Sequence, residues 1–389
     1  MLKFIKFSLK LLISLVLLAI IGMVIFVSVV DANRYKPEIN QLLTNTTGYP
    51  VTLTGDLSWS ILPNLQLTTG EFDIHDPENK NEKLASAHQF SFDVELLPLL
   101  KGQAKFKQIQ IDSLTYRKLR IDSIKTQLSV NKESAELRDI QSKLYGGSLT
   151  GDIMVEHQNG TTQFMSDLKG ANIALSGLLR DLIGKAIVSG EGDIQLKLAS
   201  KGASENDLLQ HLSGHVNLIV KSGQIDGINL PRIIDKIIAL TKDESVDEPV
   251  IAANEQENTT LFDELNAEAV IVNGILKHET LHFMTPLFEV KGTGQTNLMN
   301  HTIDYRLAVE LKNIKEHTKI AAVQAQLGGS FPIRITGTIE KPIATPDLTN
   351  LLKSRAKTFL NQQVDTLMNN ESMEKTKKEM KSFFDNLLQ

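Results

Sequence analysis

Val51-Thr52-Leu53-Thr54-Gly55-Asp56-Leu57-Ser58-Trp59-Ser60-Ile61 is the stretch whose reading decides the fold class. Apolar side chains hold the odd positions except Gly55, and Thr, Asp and Ser hold the even ones. A period of two sends these sets to opposite faces of an extended chain, so the stretch predicts a strand with one dry and one wet side. The same alternation returns at Phe90-Phe92-Val94-Leu96, Ile194-Leu196-Leu198 and Val216-Leu218-Val220. It returns again at Ile303-Tyr305-Leu307-Val309-Leu311 and Phe331-Ile333-Ile335-Ile339. Asn159-Gly160, Ser189-Gly190, Ser222-Gly223, Asn273-Gly274 and Gly328-Gly329 separate the runs as predicted turns. Short helices are predicted over 37–43, 178–182, 205–212 and 230–240. The chain is thus mainly β.

Outward from this core, both ends change character. Leu11 to Val30 carries no charge, and at about 1.5 Å per residue it covers about 30 Å, a hydrocarbon core's thickness. Lys3, Lys6 and Lys10 precede it and Asp31 follows, so the positive-inside rule keeps residues 1–10 in the cytoplasm and exports the rest. A cleaved signal peptide is the other reading, with Val30-Asp31-Ala32 as its cleavage site. Its apolar region normally runs only about 7–15 residues, so the length favours an uncleaved transmembrane anchor. Residues 350–389 turn helical, with Leu352, Ala356, Phe359, Leu360, Val364 and Leu367 on one face. Phe383, Phe384, Leu387 and Leu388 follow as candidates for packing on the body, touching a membrane or binding a partner protein. Asp243, Glu244, Asp247, Glu248, Glu255 and Glu257 mark 241–260 as an acidic linker. The expected organisation is an anchor over 1–30, a β body over 31–240, the linker, a second β region over 261–349, and a helical tail over 350–389.

The chain has no cysteine, so disulfides and thiolate metal sites are excluded. A formal net charge of −5 argues against nucleic acid as a partner. No cofactor is expected. His278-Glu279-Thr280-Leu281-His282 spells the zinc-protease pattern, which binds metal only on a helix, where i and i+4 share a face. Between Asn273-Gly274 and Pro286 the run reads instead as a strand. There the two imidazoles would share a face but stand roughly 13 Å apart, too far for one zinc. His211 and His215 bracket a Leu-Ser-Gly turn and read as structural. Gly190-Glu191-Gly192 and Gly292-Thr293-Gly294 lack a phosphate-loop context and read as bulges or turns.

Several short motifs occur in an order that resembles the AsmA family of bacterial envelope proteins. Tyr35-Lys36-Pro37, Thr47-Gly48-Tyr49-Pro50-Val51 and Gly55-Asp56-Leu57-Ser58-Trp59-Ser60 with Leu62-Pro63 are similar to its N-terminal signature. Leu144-Tyr145-Gly146-Gly147 resembles its YGG turn, and Ser222 through Leu230 its G-x-I-x-G-I-D-L core, with Asn229 in place of Asp. Thr260 to Leu265, Asn273-Gly274, Thr285 to Phe288, Gly292-Thr293-Gly294, Phe331 to Thr338 and Lys341-Pro342 continue the order. The resemblance covers about residues 1–350. It implies a long curved sheet folded into an open groove, an anchor in the inner membrane, a periplasmic body, and a role in outer-membrane assembly or phospholipid movement.

Alternation alone fits both an open groove and a closed sandwich. A groove would be lined by Leu53, Leu57, Trp59, Phe92, Val94, Leu196, Leu218, Tyr305, Leu307, Val309, Ile333 and Ile335. Water-exposed tails cost about 0.8 kcal/mol per CH₂, so two ordinary tails face a barrier on the order of 20 kcal/mol that an apolar trough lowers without a catalytic residue. The expected partners are therefore phospholipid acyl chains, the inner membrane, and the outer membrane or an envelope protein. A scaffolding factor for outer-membrane proteins, using its sheet edges on client strands, is the alternative. At about 12 residues per strand, roughly 300 residues predict about 25 strands and at most about 120 Å of sheet at ~4.8 Å spacing.

Overall fold

The computed structural model describes residues 31–347 apart from 38–39, 42–43, 45–49, 61–65, 77–78, 80–81, 95–105, 131–133, 242–257 and 313–317. The anchor between Leu11 and Val30, and the tail with Phe383, Phe384, Leu387 and Leu388, lie outside the described residues. Among the described residues no helix is long and apolar enough to cross a membrane.

Among the described residues seventeen strands form one sheet. The first are β1 (Val51–Leu53), β2 (Leu57–Ser60), β3 (Gln66–His75), β4 (Lys83–Val94), β5 (Phe106–Tyr116) and β6 (Leu119–Val130). Next come β7 (Ser134–Leu144), β8 (Gly147–Gln158), β9 (Thr161–Ala174), β10 (Val188–Gly202), β11 (Ser213–Asp226) and β12 (Thr259–Val272). The last are β13 (Ile275–Met284), β14 (Phe288–Asn297), β15 (Thr302–Leu311), β16 (Phe331–Thr338) and β17 (Pro342–Pro346). From β3 to β17 every strand pairs antiparallel with the next. The expected twenty-five strands become seventeen because the long strands run 10 to 15 residues, so turns are fewer.

The stretch 51–60 is extended as predicted, but it is two strands, not one. β1 pairs with the far end of β3 and β2 with its near end. The break falls at Gly55, where a Cβ would stand 2.4 Å from the Cα of Gly70. Two backbones meet there, and only glycine leaves room. Helices α1 (Leu175–Ile183), α2 (Glu205–Gln210) and α3 (Leu230–Thr241) fall where the sequence predicts them. Lys36, Pro37, Asn40, Gln41 and Thr44 are helical as well. A fourth helix, α4 (Thr318–Gln326), was not expected from the sequence.

Two of the predicted turns are not turns. Ser189-Gly190 lies within β10 and Ser222-Gly223 within β11. The register slips between Ser189 and Glu191, and Ser222 has φ 49°. A left-handed residue whose flanks stay extended makes a bulge, which bends and twists the strand instead of reversing it. Gln89, Ser123, Asp139 and Asn172 are left-handed in the same way inside β4, β6, β7 and β9. Inward positions there step by three, not two: Ala87 to Phe90, Ile121 to Ile124, Leu137 to Ile140, Gly170 to Ile173. Two of the freed bulge N–H groups donate to carboxylates one strand over, Asp139 to Asp152 and Asn172 to Asp193, each at 2.9 Å. From β3 to β6, and between β11 and β12, neighbouring strands step together and pairing continues across the defect; beside β7 and β9 the register shifts instead, between Leu137 and Ile140 and between Gly192 and Ile194.

The accumulated twist curls the sheet. Lys185, between β9 and β10, donates through Nζ to the carbonyl of Glu340 at 2.6 Å, in the turn before β17. A flat sheet would hold β10 and β17 roughly 34 Å apart at about 4.8 Å per strand. Arg117 and Glu205 close a similar loop at 3.5 Å.

Candidate functional site

One face of this sheet is mostly apolar, with Thr69, Thr126, Ser142, Ser166 and Ser200 set into it as small buried polar residues. Register places Ile173, Gly192, Val220, Leu265, Phe283, Val290, Val309 and Phe331 in a single row crossing eight strands. All eight are buried. A parallel row runs through Leu149, Gly170, Ile194, Leu218, Ala267, Leu281, Gly292, Leu307 and Ile333. The opposite face carries charge, including Asp304 with Arg334 at 3.0 Å and Asp167 with Lys197 at 3.2 Å.

Over the C-terminal strands helices roof this dry face. In α3, Leu230, Ile234, Ile237 and Ile238 repeat at helical spacing and are buried in one cluster with Val290, Val309 and Phe331. Asn229 caps α3, its Oδ1 accepting the N–H of Arg232 at 2.9 Å. This explains why Asn replaces Asp there without harm, since both are good N-caps. Helix α4 adds Ile320 and Val323 to the cluster, and its Gln324 Oε1 accepts the Leu311 N–H at 3.0 Å. At the β7–β8 turn, Tyr145 and Gly146 are left-handed, and the Tyr145 hydroxyl donates to Asp181 of α1. Burial pushes that hydroxyl up to about 12, so it stays protonated and donating.

Further toward the N-terminus the roof is absent among the described residues. Phe72, Phe90, Phe92, Leu137, Ile153, Leu168, Leu196 and Leu218 face the same side and are only half-buried. Phe72 stacks on Phe90 at 6.3 Å, and Phe90 meets Phe92 edge-on at 5.5 Å.

The groove candidates divide accordingly. Phe92 and Leu196 are half-buried on the apolar face, and Leu218 and Tyr305 are half-buried there but pack against the edge of the core cluster. Leu307, Val309, Ile333 and Ile335 share that face but belong to the roofed core. Leu53 and Leu57 are buried at the sheet edge, where their N–H groups donate to Asn40 Oδ1 and Asn33 Oδ1 at 3.0 and 2.9 Å. Trp59 and Val94 have strand backbone, and their side chains lie outside the description. Sequence reading missed α4, whose lone polar-looking register gives little apolar periodicity. It also missed Phe262, Phe283 and Phe288, a packed trio at 6.1 and 6.5 Å on strands with interrupted alternation.

The zinc-like motif is a strand, but its histidines do not share a face. Ala269 opposes His278 and Glu268 opposes Thr280, leaving Glu279 as an unpaired bulge residue. The extra residue turns His278 inward and His282 outward, where Nε2 meets Glu289 at 2.9 Å. Among the described residues no group of three or more potential ligands could hold a metal. Inside, His278 Nδ1 lies 2.8 Å from the Tyr305 hydroxyl, which lies 2.7 Å from Thr296 Oγ1. Gly294 intervenes on β14, and a Cβ there would stand 2.5 Å from the Tyr305 ring. Its lack of a side chain lets tyrosine cross to histidine, so the Gly-Thr-Gly pair is neither bulge nor turn.

Burial lowers the His278 pKa to about 4. The folded state therefore resists a proton that the unfolded chain accepts near 6.5. Stability is complete above that value and falls as pH drops from about 6.5 to about 4, by an amount on the order of 3 kcal/mol. His278→Phe should flatten the stability profile across this window, as urea midpoints at successive pH values would reveal; an unchanged profile would refute the assignment.

A single large open antiparallel sheet with few helices, four of them between strands among the described residues, defines a mainly β protein. The chain belongs to the AsmA family, whose signature matches residues 1–117 and 108–281. It is 29% identical over 106 residues to Protein AsmA of Escherichia coli K12, covering 27% of this chain and 17% of that protein. It is 22% identical over 262 residues to AsmA family protein YhjG of the same organism, covering 65% of this chain and 34% of the relative. The chain thus spans at most about a third of these curated relatives. No solved structure matches it.

Proposed function

We propose that this is an envelope protein, anchored in the inner membrane by residues 11–30 with its body in the periplasm, that guides phospholipid acyl chains along the apolar sheet face. In this reading it supports outer-membrane biogenesis without covalent chemistry, and the phospholipid is cargo. The carrying observation is the half-exposed apolar face from Phe72 to Leu218, continuous with the roofed core. Leaving so much apolar surface wet is unfavourable by about 25 cal/mol per Å² unless something covers it. Acyl chains fit a largely apolar strip whose inward polar residues are small and uncharged, with the charge on its other side.

The scaffolding alternative needs free strand edges, and both edges are blunted. At β1 and β2 the side chains of Asn33, Asn40 and Thr44 accept edge N–H groups. At the other end β17 is five residues long and has Pro at both termini.

Photo-crosslinking amino acids placed at Phe92, Leu196 and Leu218 should capture phospholipid in cells. Probes at Gln195 and Lys197, on the wet face of β10, should not. Equal capture at both sets, or none at either, would end the lipid reading.

A further inference from the structure

The His278–Tyr305–Thr296 chain is a connected polar group set among apolar neighbours, and its direction can be worked out. Thr296 is buried and its hydroxyl has Tyr305 as its hydrogen-bond partner. Were His278 Nδ1 to donate to Tyr305, tyrosine would donate to Thr296 and strand the threonine proton in an apolar wall. A stranded donor costs about 1–3 kcal/mol. The favourable direction is Thr296 to Tyr305 to His278 Nδ1, which puts the imidazole proton on Nε2. That N–H makes no hydrogen bond to the described residues, and it is not among the buried side-chain atoms that lack a partner, such as Thr69 Oγ1 and Ser166 Oγ. The inward neighbours Ala269, Leu281, Gly294 and Ile335 offer no acceptor and no charge.

We propose that His278 is a fixed hydrogen-bond donor for the ester carbonyl of a glycerolipid, held in its donating tautomer by Tyr305 and Thr296. The inference rests on the lipid reading and deepens it. The acceptor is an ester and not a phosphate because the site is neutral. Burial keeps the imidazole uncharged at cellular pH, and an anion placed there would be desolvated with no cation to meet it. An ester carbonyl is a neutral acceptor attached to the chains that an apolar face already binds. Recognition at this point would then ignore the head group and read only the linkage.

The test compares a diester phospholipid with its diether analogue of identical chains and head group, both offered to the full chain in detergent. Ether oxygens lack the carbonyl, so wild type should retain the diester about fivefold better, the value of one neutral hydrogen bond. His278→Phe keeps bulk and apolarity and should bind both lipids equally. Tyr305→Phe frees the tautomer and should shrink the preference while leaving His278 in place; it also serves as the test variant should His278→Phe fold poorly. With ¹³C-labelled ester carbonyls, the infrared band should show a lower-frequency component in wild type that is missing in His278→Phe. Equal retention of both lipids by wild type overturns the inference alone. Retention of neither overturns the lipid reading and this inference with it.

Discussion

Phe331→Ala is expected to cost about 3–5 kcal/mol and to loosen one end of the molecule while sparing the other. Phe331 has no exposed surface, sits opposite Val309 in β15, and shares a cluster with Ile234, Ile237 and Val323 of the roof. Truncation removes the ring from a site bounded by a sheet below and two helices above, which cannot collapse independently. A cavity therefore remains, and its cost adds to the lost transfer energy. The effect should stay local because from β2 onward each strand pairs in sequence order with its neighbours, which makes that part of the sheet nearly one-dimensional. Hydrogen exchange followed by mass spectrometry should show lost protection in β13–β17, α3 and α4, with β4–β8 unchanged. Uniform loss along the chain would contradict this and mean that the curled sheet unfolds as one unit. Phe331→Leu fills much of the same space and should cost under about 1.5 kcal/mol.

That locality explains which parts were legible in the sequence. Alternation identified strands wherever a single face stayed dry without interruption, as in Ile303 to Leu311, whose odd residues all point inward. It failed where a bulge changes the parity. In β12, Phe262 and Leu265 face the same side although three residues apart, and no strict period of two finds them. The same blindness made the Ser222-Gly223 pair look like a turn, because a left-handed residue has the same sequence signature in either setting. For the histidine motif, the strand was readable but the facing was not, since one unpaired residue at Glu279 reversed His282. Helix α3 was legible from Leu230, Ile234, Ile237 and Ile238. Helix α4 offers only Ile320 and Val323 to the core, too little for a periodic signal. The division of the apolar face into a roofed and an uncovered part was beyond the sequence, because Leu196 and Val309 alternate identically and differ only in what a distant helix does above them.

This division makes the uncovered part testable without unfolding the protein. Leu196→Asp should abolish most lipid passage while leaving the fold intact. Leu196 is half-buried, so a carboxylate there keeps much of its water and the native state loses only about 1–2 kcal/mol. An acyl chain crossing the same spot must strip that water away, at several kcal/mol, and each 1.4 kcal/mol is about tenfold. Transfer of labelled phospholipid between vesicles by the full chain should fall at least about thirtyfold, with a near-native melting curve. Leu218→Asp, one strand over on the same face, should act alike. Leu196→Met preserves apolarity and should transfer normally. The sharpest control is Gln195→Asp, which adds the same charge one residue earlier but on the wet face of β10. Equal losses from Leu196→Asp and Gln195→Asp would mean that charge anywhere on the strand matters. The sidedness on which the groove reading depends would then have no part in the function.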